Sequence, residues 1–169
     1  MFAVNDYVFY GSGGVCKIVD IQTAPLESMP RDKQYYIMHS LHDASSVMYI
    51  PVDSDCIFLR PLISRTEAEE LLAQIPYVTP LEAPNAKQLR ECYAEAMRRH
   101  MPIDWVRVIK TVWLRMNEPR PAARRISETE RSFAENARKY LYTELSLVLD
   151  VSAAKMEEYI AASVNNAIL

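Results

Sequence analysis

Glycine is almost missing from this 169-residue chain, and its three copies all fall between Gly11 and Gly14. A phosphate-cradling glycine loop is therefore excluded, and the sequence also contains no HExxH and no Gly-x-Ser-x-Gly. Cysteine is equally scarce. Cys16, Cys56 and Cys92 are odd in number and widely spaced, which argues against a disulfide framework. A zinc site assembled from Cys16 and Cys56 with His39 and His42 would lack the close Cys pairs that structural zinc draws on, so buried thiols are the simpler reading. No apolar run reaches the roughly 18 residues of a membrane span. The opening MFAVNDYVFYGSGG has no basic residue of the kind a secretion signal carries. Asp53 and Asp55 alternate on one strand face, where paired carboxylates can do acid–base work, but a polar strand end explains them as well. These absences predict a cytoplasmic, non-catalytic protein with no cofactor, no metal and no membrane contact.

Positive charge is scarce in the first half and concentrated in the second. Residues 1–75 hold five Lys or Arg against ten Asp or Glu, whereas residues 85–139 hold thirteen against seven. The excess centres on Lys110–Lys139, where Lys110, Arg115, Arg120, Arg124, Arg125, Arg131, Arg138 and Lys139 face only four acidic residues. Such an excess in an acidic protein suits nucleic-acid phosphate, with a solvated helix surface as the commoner explanation of charge runs.

The pattern of apolar residues divides the chain in the same way. Residues 1–63 read as short strands: DYVFY, the GSGG turn, VCKIVDI, then QYYIMHSL and SVMYIPV around a polar HDAS tip, and CIFLRPL. Cys16 and Ile18 fall on one face of their strand, with Val15, Lys17, Val19 and Ile21 on the other. Pro51 places its strand at an edge or marks its end. Five or six short strands in this length predict a small barrel.

Residues 64–169 read as helix. A linking helix is expected over 64–75, opened by the Ser64–Glu67 capping box. Pro76, Pro80 and Pro84 mark an extended connector over 76–84, either a hinge or a strut. A helical bundle follows over 85–169. Leu89, Tyr93, Ala96 and Met97 give its first apolar face, and Val106, Ile109, Val112, Trp113 and Met116 the second. A second capping box, Ser127–Glu130, precedes a stripe through Phe133, Ala137, Leu141, Leu145 and Val148. A last helix from Ser152 is expected to bury Met156, Ile160 and Val164. Trp105 and Trp113 both read as packing residues. The fold class expected is α+β, a β-barrel followed by an all-α bundle.

FAVNDYVFYGSGGVCKIVDI, YYIM, MYIPV and LRPLIS resemble the polymerase-interacting domain of CarD-like bacterial transcription regulators, a Tudor-like barrel also found in the transcription-repair coupling factor. VIKTVWLR and RISETERSFAENARKYLYTELSLVL resemble the family's C-terminal domain in the form carried by Firmicutes-like members. The resemblance implies a barrel edge strand, here Val47, Met48, Tyr49 and Ile50, that pairs with the RNA polymerase β subunit. A strand that only completes the barrel is the alternative. Tyr49 stands where the family often has a basic residue. The resemblance also implies contact with promoter DNA, stabilising the open complex. A Trp that wedges into the minor groove in the family is replaced here near Ala86. Lys87, Arg90, Arg124, Arg125 and Arg131 are the candidate phosphate contacts: Arg131 matches a basic position of the family, and Arg124 and Arg125 precede a helix start whose amides could join them around one phosphate; Arg98 and Arg99 are alternatives. The competing reading is an interaction adaptor that binds polymerase or another partner without touching DNA.

Overall fold

The computed structural model describes residues 1–11, 13–43, 45–54, 58–119 and 125–168, with the side chains of 165–168 left out. The chain divides into two compact units, residues 1–62 and 63–169.

In the first unit, β1 (Tyr7–Tyr10), β2 (Gly14–Thr23), β3 (Gln34–Ser40), β4 (Val47–Pro51) and β5 (Leu59–Pro61) form one antiparallel sheet. The strand order is β4-β3-β2-β1-β5. The clustered glycines make the β1–β2 turn. Gly14 has φ 70°, which costs a glycine little. A Cβ on Gly13 would lie 2.8 Å from the Tyr10 ring and 3.0 Å from the Met48 sulfur, so the turn packs too tightly for any side chain.

One face of the sheet buries Val8, Cys16, Ile18, Tyr36, Met38 and Ile50, with Tyr10, Met48 and Leu59 packed around them. All five strands contribute, so the sheet curls around a single core. It does not close into the expected barrel: among the described residues β4 and β5 end the ladder and are not paired with each other. The second correction is local. The β2–β3 register passes from Ile18↔Met38 to Asp20↔Ile37, leaving Val19 as an extra residue. This bulge reverses the alternation, so Ile21 joins the face of Cys16 and Ile18 instead of opposing it.

The second unit is helical. Its elements are α1 (Arg65–Gln74), α2 (Ala86–Arg98), α3 (Pro102–Asn117), α4 (Glu128–Leu149) and α5 (Met156–Ile168). Both predicted capping boxes form, at Ser64–Glu67 and Ser127–Glu130. They satisfy donors that a helix start leaves unpaired, each cap contributing about 1 kcal/mol. The α1 helix ends in a 3₁₀ turn over Ile75–Tyr77, formed through Pro76 rather than stopped by it.

The connector after this turn is a strut. The Leu81 N–H donates to Thr111 Oγ1 at 2.7 Å, and Leu81 is buried. Lys110 Nζ donates to the carbonyls of Ile75 and Pro76 at 3.1 and 2.8 Å. Two side chains of α3 thus hold the proline segment against the helices.

The expected stripe of α3 holds at Val106 and Val112, which are buried, and fails at its last two residues. Trp105 is fully buried, its ring 5.7 Å from that of Tyr140, whereas Trp113 is 55% exposed and Met116 53%. Trp105, Val108 and Thr111 join Val106 and Val112 on the inward face. On α4, Ala134, Ala137, Leu141, Leu145 and Leu149 are buried, while Phe133 and Val148 are only half-buried. Of the three apolar residues expected to anchor the last helix, Met156 is fully buried, and Ile160 and Val164 partly.

Candidate polymerase edge and cationic helix surface

Among the described residues β4 has a neighbour on one side only. Its register against β3 runs from His39↔Val47 to Tyr35↔Pro51. One residue further, the Val52 N–H donates to the Gln34 carbonyl at 2.9 Å, which fixes the phase of the ladder. Hydrogen-bonded and non-bonded pairs alternate in an antiparallel ladder. Met48 and Ile50 therefore turn their main-chain groups toward β3, while Val47 and Tyr49 turn theirs to the open side. Pro51 adds only a carbonyl there.

The side chains divide in the same way. Met48 and Ile50 belong to the core of the sheet, Val47 is exposed, and Tyr49 is half-buried on the other face. The four residues expected to act as one edge are thus two core residues alternating with two outward ones. At the β3–β4 tip, the Ser45 and Ser46 hydroxyls each donate to Asp43 at 2.6 Å. These bonds hold the Asp43 carboxyl below its usual range and order the approach to the edge.

The candidate cations lie on helix surfaces. Lys87 and Arg90 are exposed on α2, and Arg125 and Arg131 are exposed before and at the start of α4. Arg124 lies outside the described residues. Tyr93 donates its hydroxyl to Glu130 Oε1 at 3.4 Å, and its ring lies 5.7 Å from Phe133. These contacts bring the α2 turn carrying Arg90 beside the α4 turn carrying Arg131.

Glu130 is the joint of this region. Its carboxylate accepts from Ser127 N–H and from Arg115 Nε, both at 2.9 Å, as well as from Tyr93. One largely buried carboxylate therefore caps α4 and binds it to α2 and α3. The Glu130 N–H is already held by Ser127 Oγ at 3.2 Å. A phosphate here would meet a capped helix start, so arginine side chains, rather than the amides expected to help them, would have to supply the contact.

Several other cations are engaged inside the unit. Arg115 is the partner of Glu130, and Lys110 holds the strut. Arg98 and Arg99 both pair with Glu95, and Arg99 and Arg107 lie 3.8 and 3.7 Å from the buried Asp104. Ala86 is the exposed first residue of α2. The exposed indole of the helical unit is Trp113, which sequence reasoning assigned to the core.

Among the described residues no cluster of His, Cys, Asp and Glu could hold a metal ion. Cys16 is buried, and burial pushes its thiol up to about 12. Cys92 is half-buried, Asp53 lies 3.8 Å from Lys33, and Cys56 and Asp55 lie outside the described residues. Among the described residues no helix is long and apolar enough to cross a membrane.

Among the described residues the sheet ends in an apolar edge strand whose outward main-chain groups have no partner strand, a kind of edge to which another chain can add a strand. Residues 2–63 match the family model described as the CarD-like/TRCF RID domain, which makes the sheet unit a domain of that kind. Domains of this kind interact with RNA polymerase. No curated protein matches the chain.

Proposed function

We propose that this protein regulates transcription by adding a strand of the RNA polymerase β subunit to the open side of β4 and resting its helical unit on promoter DNA. The observation that carries the proposal is the pairing of an RNA polymerase-interacting domain with a β4 edge whose Val47 and Tyr49 main-chain groups face away from their own sheet. Docking raises the effective concentration of the helical unit near the template, so a weak electrostatic contact becomes intramolecular. Lys87, Arg90, Arg125 and Arg131 make the phosphate contacts, with Arg124 beside them in sequence. Preferential binding to the open promoter complex shifts the opening equilibrium by that difference in affinity.

The test is the lifetime of open complexes with and without the protein, together with the salt dependence of promoter binding. Changing Lys87, Arg90, Arg125 and Arg131 to Ala should shorten the lifetime and flatten the salt slope by about 0.9 for each phosphate no longer neutralised. A second reading, an adaptor that binds polymerase and leaves DNA alone, is favoured by the internal engagement of Lys110 and Arg115 and by Ala86 at the family's Trp position. It predicts that the four changes leave both measurements untouched.

A further inference from the structure

We propose that the helical unit carries a self-complementary patch through which two copies of this chain pair about a twofold axis. A groove of about 620 Å³ runs between α3 and α5, with α4 as its floor. Ile109, Leu141 and Ile160 make it apolar. Trp113 lines it and is 55% exposed, with Met116 one turn further along α3 also exposed. A large exposed indole beside an apolar groove places a knob and a hole on one surface. A twofold interface has that requirement, since each copy must offer both halves of every contact.

The charges on the groove walls fit the same operation. Lys110 stands on the α3 wall and Glu157 on the α5 wall. A twofold that lays α3 of one copy against α5 of the other sets Lys110 opposite Glu157 twice. Lys110 is prepared for this role: two N–H groups are held by Ile75 and Pro76 carbonyls, which fixes the ammonium and leaves one donor for the second copy. Phosphate does not match this surface, because one positive and one negative group give it no net field. An apolar groove with one charge of each sign and its own aromatic knob is best filled by itself.

The experiment is sedimentation of the full chain from low micromolar to submillimolar concentration, followed in parallel by tryptophan emission. The expected result is a concentration-dependent dimer with a blue shift from Trp113 as it leaves water. Trp105, already buried, contributes a constant background, so Trp113→Phe should remove most of the shift. Trp113→Ala should weaken the dimer about tenfold or more, the size of a central aromatic anchor. Glu157→Lys, which sets two like-charged pairs face to face, should abolish it. Both positions face the groove rather than the core, so each variant should keep the helical circular dichroism of the parent. A chain that stays monomeric throughout, or a dimer indifferent to Trp113→Ala and Glu157→Lys, overturns the proposal. So does protection of Trp113 that appears only on adding promoter DNA or a polymerase fragment.

Discussion

Along β4 of the sheet unit, the groups turned outward for binding belong to the main chain, at Val47 and Tyr49. In the helical unit the groups offered for binding are side chains, and many of the eligible ones are already engaged with neighbouring helices. Lys110 holds the proline strut, Arg115 neutralises Glu130, and Arg98 and Arg99 lean on Glu95. A strand edge is available whatever its side chains are, because its hydrogen-bond phase is set by the neighbouring strand. A cationic surface is available only to the extent that internal carboxylates leave it so, and a count of charges overstates it.

The contrast can be broken at its strongest point first. Tyr49→Pro removes an outward N–H without touching the bonds to β3. It should cut binding to a polymerase β fragment by about tenfold or more, the size of one missing ladder bond with a local clash, while Tyr49→Thr should cost far less. Calorimetric titration reads the loss, and an unchanged melting profile shows that the sheet persists.

Next, Glu130→Ala should destabilise the helical unit by about 2–3 kcal/mol. It removes a cap and leaves the Arg115 guanidinium without its carboxylate. Urea unfolding followed by helical circular dichroism measures the effect, and polymerase binding through β4 should be unchanged. Thr111→Val should cost about 1–3 kcal/mol by stranding the buried Leu81 N–H, with limited proteolysis near the connector as a second readout.

The smallest effect concerns pH. Burial raises the Cys16 thiol from 9.0 to about 12 in the folded sheet, so the unfolded chain ionises first. The neutral thiol's contribution is fully present below pH 9 and is lost as pH rises toward 12. Cys16→Ala should flatten this part of the decline. Tyr140 and Tyr142 in the helical unit, raised mainly by burial, give the same sign and remain as an internal comparison.

What the sequence disclosed was local or periodic. Both capping boxes were legible because donor and acceptor lie three residues apart, and the strand edge was legible through Pro51 and the family resemblance. The exposure of Trp113 was not. Val112 and Trp113 are adjacent and both apolar, so helical spacing admitted both to the inward stripe, and packing buried only Val112. The strut was hidden for another reason: Leu81 is held by Thr111 from 30 residues away. The bulge at Val19 has no glycine or proline to announce it, and it reassigned Ile21. The internal partners of Arg115 and Lys110 are likewise products of helix packing, invisible to any window along the chain.

The brevity of β4 has a kinetic meaning. Between Val47 and Pro51 the outward side offers two donors and three acceptors over roughly 13 Å, and each bond is worth about 1 kcal/mol net. A visiting strand is clasped at five points at most, and proline closes the row. In the proposed docking such a grip releases readily, so one molecule would serve many polymerases in succession instead of riding a single enzyme indefinitely.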